Sequence, residues 1–127
     1  MVKDKLIFPH EIDLWYILPT IRKEFALELM EQKISQKRIA LMLGITEASV
    51  SNYKKEQRAN EVDLGKELKN EIRNSVKMII DNKSTMFNEI MRIDSLVKSS
   101  GLLCKIHKQK CKNLGECSEC KKLYARK

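Results

Sequence analysis

Four cysteines and a histidine crowd the end of the chain. Cys104, His107, Cys111, Cys117 and Cys120 follow Gly101, and no cysteine occurs before them. Thiolate and imidazole bind soft and borderline metals, and a ligand set this dense is the kind that holds zinc or an iron–sulfur cluster. Two sets fit. Cys104-x2-His107 with Cys117-x2-Cys120 is a Cys3His zinc pattern with Cys111 left over. Cys104, Cys111, Cys117 and Cys120 together give four thiolates, for zinc or for an iron–sulfur cluster. Lys105, Lys108, Lys110, Lys112, Lys121 and Lys122 stand among them. They offset the charge that four thiolates bring to a metal. The segment is polar with little to bury, so a bound metal is the expected source of its order. Free or reversibly oxidised thiols are the plain alternative.

A second stretch bears on a different chemistry. Ser35 to Arg58, SQKRIALMLGITEASVSNYKKEQR, reads as a helix, a tight turn and a second helix. Ser35 is an N-cap type. Ile39, Ala40 and Leu43 make a short apolar stripe. Gly44 stands where a helix ends in the left-handed conformation, and Thr46 starts the next one. Val50 and Tyr53 face inward, while Glu47, Ala48, Ser49, Ser51 and Asn52 are small or hydrogen-bonding. Lys54, Lys55 and Arg58 follow. Two helices meeting at a glycine turn, the second polar outside and followed by cations, is the sequence form of a helix-turn-helix.

The remaining elements must hold these two regions. The chain has 127 residues, enough for one small domain with an extension. Glycine and proline are scarce, and Lys, Glu, Ile and Leu are common, which favours helices. No segment shows strand alternation, so the expected fold is all-α. Residues 1–7 read as a tail. Pro9 suits a first helical turn, with Glu11 and Asp13 near its positive end. Ile12, Trp15 and Tyr16 should face inward, and Pro19 should stop this helix and start the next. Ile21, Phe25, Leu29 and Met30 form that second helix's face. Beyond Arg58, Val62, Leu68, Ile72, Val76, Ile79 and Ile80 keep helical spacing to about Asp81. Ser84 is the expected cap of a further helix with Met86, Phe87, Ile90, Ile93 and Val97 inward, ending at Ser99–Gly101. The organisation is therefore 8–58, a helix-turn-helix domain; 62–100, a helical pair that folds back or dimerises; and 101–127, a Cys-rich metal-binding tail.

The segment from Pro9 to Arg58 resembles the lambda-repressor-like (XRE-type) helix-turn-helix regulators. More narrowly, it resembles a group of predicted archaeal regulators. The likeness is carried by Pro9, Glu11, Ile12, Tyr16, Leu18, Pro19, Ile21 and Arg22 before the motif. Within it, the matching residues are Ser35, Gln36, Ile39, Ala40, Leu43, Gly44, Ile45, Thr46, Ala48, Val50, Ser51, Tyr53 and Arg58. Lys54-Lys55-Glu56-Gln57 departs from it, since relatives often have a small-residue turn there. The resemblance implies that the second helix enters the major groove of double-stranded DNA. Glu47, Ala48 and Asn52 would then lie nearest base edges: Glu can accept from cytosine, Ala can pack on a thymine methyl, and Asn can pair with adenine. Gln36 and Ser49 would hold phosphates, and Lys54, Lys55 and Arg58 would add salt-sensitive attraction. One such motif reads a half-site, so the resemblance also implies a homodimer. The Cys-x6-Cys-x5-Cys spacing is similar to the three-cysteine loop of some winged-helix regulators that sense with an iron–sulfur cluster. An iron–sulfur cluster is therefore the expected cofactor, with zinc as the alternative.

The net charge of +8 and pI near 9.4 suit nucleic acid or an acidic membrane surface as partner, or plain solubility. No glycine-rich phosphate loop occurs, and His10 and His107 form no catalytic pattern, so an enzyme is not expected. No stretch reaches the roughly 20 apolar residues of a membrane span, and no secretory leader is visible. The expectation is a cytoplasmic DNA-binding transcriptional regulator, redox- or iron-responsive through its tail. A regulator with purely structural zinc, or a helical protein- or RNA-binding adaptor, is the alternative.

Overall fold

The computed structural model describes residues 8–55 and 63–110, the last three as backbone alone. All regular structure among them is helical. In order these are α1 (Pro9–Ile12), a π-helical turn (Asp13–Ile17), α2 (Leu18–Glu31), α3 (Gln36–Leu43), α4 (Glu47–Lys55), α5 (Lys66–Ile80), α6 (Met86–Ser99) and α7 (Leu102–Lys110).

Pro19 does not separate one helix from the next, as its missing donor suggests it should. It lies at the start of α2, where the bonding changes from the wide π turn to the α pattern, so the absent N–H falls at the switch. The Thr20 hydroxyl donates to the Tyr16 carbonyl at 2.7 Å across the same joint. The π turn also explains a second difference. Ile12, Ile17, Ile21 and Phe25 are all fully buried, and the first step, five residues instead of four, is taken up by the wider turn. A straight α-helix from Ile12 would turn Trp15 inward. Here Trp15 is 46% exposed and Tyr16 half-buried.

α2 is the central element. It buries Ile21, Phe25, Ala26 and Leu29, packing on α3 and α4 and also on α5 and α6. The helical pair after residue 62 therefore folds back onto the N-terminal helices. Leu68, Ile72 and Val76 of α5 and Ile93 and Val97 of α6 join the same core. Two residues expected inward are not: Ile80 is 39% and Phe87 73% exposed. Each stands one position beyond its helix's buried stripe, about 100° round the axis. Val62 lies outside the described residues.

Polar links hold the α5–α6 hairpin. Thr85, not Ser84, caps α6, accepting from the Asn88 N–H at 3.1 Å. Ser84 is diverted to the buried Glu89 carboxylate, donating to Oε2 at 2.6 Å, while Ser75 donates to Oε1 at 2.6 Å. Arg92 ties the same carboxylate (3.1 Å) to Glu71 (2.8 Å). Burial alone would raise the Glu89 carboxyl, but these donors outweigh it and hold it below the usual range. Asp13 of the π turn meets α6 differently. Lys98 Nζ lies 3.3 Å from Asp13 Oδ2 and 3.0 Å from Asp94 Oδ2, and both carboxyl groups are buried. Burial first, and then the neighbouring Asp94, push the Asp13 carboxyl up to about 7 against the pull of Lys98.

The segment after Gly101 also departs from expectation. α7 packs on α1 and α6, and Leu103, Cys104 and Ile106 belong to the core. Its first turns are thus held by apolar packing. None of the described helices is long and apolar enough to cross a membrane.

Candidate nucleic-acid interface

The pair α3–α4 is built by three local devices. Ser35 accepts from the Arg38 N–H at 3.2 Å and so starts α3. Gly44 ends it at φ 68°, ψ 37°, a left-handed conformation that side chains with a Cβ resist. The Ile45 N–H closes the turn on the Ala40 carbonyl at 3.0 Å. Thr46 starts α4, its Oγ1 accepting from the Ser49 N–H at 3.1 Å. Ile39 and Ala40 from α3 and Val50 from α4 are buried against α2, which fixes how far the two helices can rotate.

Burying Val50 decides what α4 shows. Glu47, Ala48 and Asn52 are exposed, as are Lys54 and Lys55. Ser49 is half-buried and engaged with Thr46. Arg58 lies outside the described residues. Gln36 is committed within the pair, accepting from the Ser51 hydroxyl at 3.3 Å. Gln36 and Lys54 also line an open cleft of about 640 Å³ whose other walls carry Glu24, Glu28 and Glu31 of α2. Three carboxylates make that side of the pair the less suitable one for phosphate. Two cations that the motif reading passed over stand elsewhere: Lys37 and Arg38 are exposed on the first turn of α3. Their signal was in the sequence, because they directly follow the cap Ser35 and Gln36.

The second candidate region is only partly described. Cys104 and His107 sit three residues apart on α7, a spacing that puts two side chains on one side of a helix. Both are turned into the molecule, at 8% and 3% exposure. Among the described residues no group of three or more His, Cys, Asp or Glu side chains is arranged to hold a metal ion. Cys111, Cys117 and Cys120 lie outside the described residues. The two donors that are described are therefore packed as core, and the donor types alone fit a metal. Compared with protein-family models, curated proteins and solved structures, the chain matches no family model, no curated protein and no solved structure.

Proposed function

We propose that this chain is a sequence-specific DNA-binding transcriptional regulator in which α3, the Gly44 turn and α4 form a helix-turn-helix. One observation carries the reading. α4 buries Val50 against α2 and leaves Glu47, Ala48 and Asn52 exposed along its other side. A helix held rigidly from behind, with hydrogen-bonding side chains in front, suits insertion into a major groove. Asn52 reads adenine, Ala48 packs on a thymine methyl and Glu47 accepts from cytosine. Lys37, Arg38 and Lys55 hold phosphate, with Arg58 beyond the described helix. Gln36, Ser49 and Lys54 have less freedom for that role, being engaged in the turn or standing by the glutamates of α2. The chain acts as a homodimer on paired half-sites.

The test is binding to genomic DNA fragments in a gel-shift at moderate salt. Asn52→Ala should weaken the selected site by about tenfold or more, roughly the 1–3 kcal/mol of a bidentate base contact, and change random DNA little. Equal loss on both would remove base reading, and absence of any site-selective binding would remove the regulator. The competing reading is a helical adaptor for protein or RNA. The cleft bearing Glu24, Glu28 and Glu31 beside α4 is the feature that favours it, since it suits a basic protein segment.

The regulator is further proposed to respond to redox state or iron through Cys104, Cys111, Cys117 and Cys120. These would hold an iron–sulfur cluster, or zinc with His107 among the ligands. Support comes from the clustering of cysteines in the sequence alone. Absorption and metal analysis of anaerobically purified protein separates the outcomes. Iron with visible absorption supports the cluster. A colourless protein with one zinc replaces it by a structural site. A metal-free protein leaves Cys104 as a packed thiol.

A further inference from the structure

We propose that α1 and the π turn form a strap over α6 and α7, hinged at Pro19 and latched by a single proton held in the Asp13–Asp94–Lys98 joint. The strap is short and thinly held. It runs from Pro9 to Ile17 and packs on α7 through α1. Ile12 and Ile17 are fully buried, while Leu14 and Trp15 are 58% and 46% exposed. Asp13, beside Ile12, takes a buried place that an apolar side chain would hold without needing a partner. At the other end the backbone ladder is interrupted. Pro19 has no N–H to give, and the Thr20 hydroxyl bridges the joint to the Tyr16 carbonyl instead.

The latch follows from the charge count. Lys98 Nζ lies 3.3 Å from Asp13 Oδ2 and 3.0 Å from Asp94 Oδ2, so two buried carboxyl groups meet one ammonium. Both Oδ1 atoms are buried without a hydrogen-bond partner. One proton balances the charges and gives one carboxyl an O–H to donate. Without it the joint holds one buried negative charge too many. Asp94 and Lys98 face Asp13 from α6. The other helices packed here add His10 and Glu11 on α1, Arg22 and Lys23 on α2, and Lys105 and His107 on α7, and none of these forms an ion pair with Asp13. Swinging the strap out at Pro19 returns Asp13 to water and gives up the burial of Ile12 and the packing of α1 on α7. Between 3.8 and about 7, each pH unit favours the open strap by up to about tenfold, about a thousandfold in all. The strap therefore covers α7, the helix that carries Cys104 and His107, more firmly in acid than at neutral pH.

The test is amide hydrogen exchange on the full chain from about pH 5 to about pH 7, corrected for the intrinsic rate at each pH. The opening equilibrium is read directly, even where the open form is a minority. In the wild type the amides of α1 and the π turn should be protected at least about tenfold less than those of α2, and their protection should fall by about tenfold or more across the range. Asp13→Asn, which keeps the neutral form, should remove that fall. Asp94→Asn, which leaves one carboxyl to one ammonium, should flatten it as well and serves if the first variant folds poorly. Equal protection of the strap and α2 at every pH overturns the proposal, since the joint would then act only through unfolding of the whole chain. A strap that opens without pH dependence overturns the latch. A fall that persists in both variants belongs to another group, such as His10 or His107, and overturns it too.

Discussion

Two carboxyl groups, Asp13 and Asp94, face a single ammonium, Lys98, in the buried joint between the π turn and α6. Their Oδ1 atoms have no hydrogen-bond partner there. A proton on Asp13 turns one of the acceptors into a donor and removes one of the buried charges, which is why its folded value lies near 7, above the ordinary 3.8. The sign for stability follows. Between those values the folded chain holds a proton that the unfolded chain has released, so stability is complete below the lower value and falls as pH rises to about 7. At its steepest the fall approaches about 1.4 kcal/mol per pH unit. Asp13→Asn should flatten it, measured by urea unfolding from mildly acidic to mildly basic pH. Glu89 acts in the opposite sense. Its value lies below 4.5, so its contribution is complete above that and is lost on acidification. Glu89→Ala leaves the Ser75 and Ser84 hydroxyls without this acceptor and Arg92 with Glu71 as its remaining carboxylate, and should cost roughly 2–4 kcal/mol. Neither role could be read from sequence. Asp13 looks like a carboxylate suited to the positive end of a helix, and only tertiary folding shows that its partner is Lys98.

At the scale of elements, what the sequence revealed were the devices that act within a few residues. Ser35, Gly44 and Thr46 cap or close their helices as their types predict, because a cap needs only the next turn of chain. Pro19 and Ser84 misled for the same reason in reverse. A π turn supplied a place for the missing donor of Pro19, and buried Glu89, five residues on, captured the Ser84 hydroxyl. Gly44→Ala should destabilise by about 1 kcal/mol, with Gly44→Asn costing less, by thermal unfolding. The added Cβ meets no atom within 4 Å, so the loss is one of backbone conformation and not of space. α7 gives the sharper test. Cysteines and lysines drew attention to its segment as a ligand set, and hid that Leu103 and Ile106 complete the core. Leu103→Ala should cost about 2–5 kcal/mol, the range for a truncated buried leucine. A segment held only by metal would lose nothing.

Taken whole, the molecule is organised by α2, which touches both the α3–α4 pair and the α5–α6 hairpin. The helical class was legible from composition, and most buried stripes from spacing. Whether the second half folds back or only pairs with another copy was not, because an apolar stripe does not name the surface it covers. With one core shared, unfolding should be a single transition, the same by circular dichroism and by emission from Trp15, the only tryptophan. Two separated transitions would mean that the α3–α4 pair is independent of the hairpin. For the proposed DNA complex, affinity should fall steeply with salt, and Lys55→Ala should reduce the slope by about one. The packing of α1 on α7 has one more consequence, which concerns how the protein is made. Synthesis delivers α1 well before α7. The side of α1 that meets α7 must wait, uncovered, until α7 has left the ribosome. Every other described helix is translated in that interval, so α1 and α7 can close on each other only after the helices between them have been made.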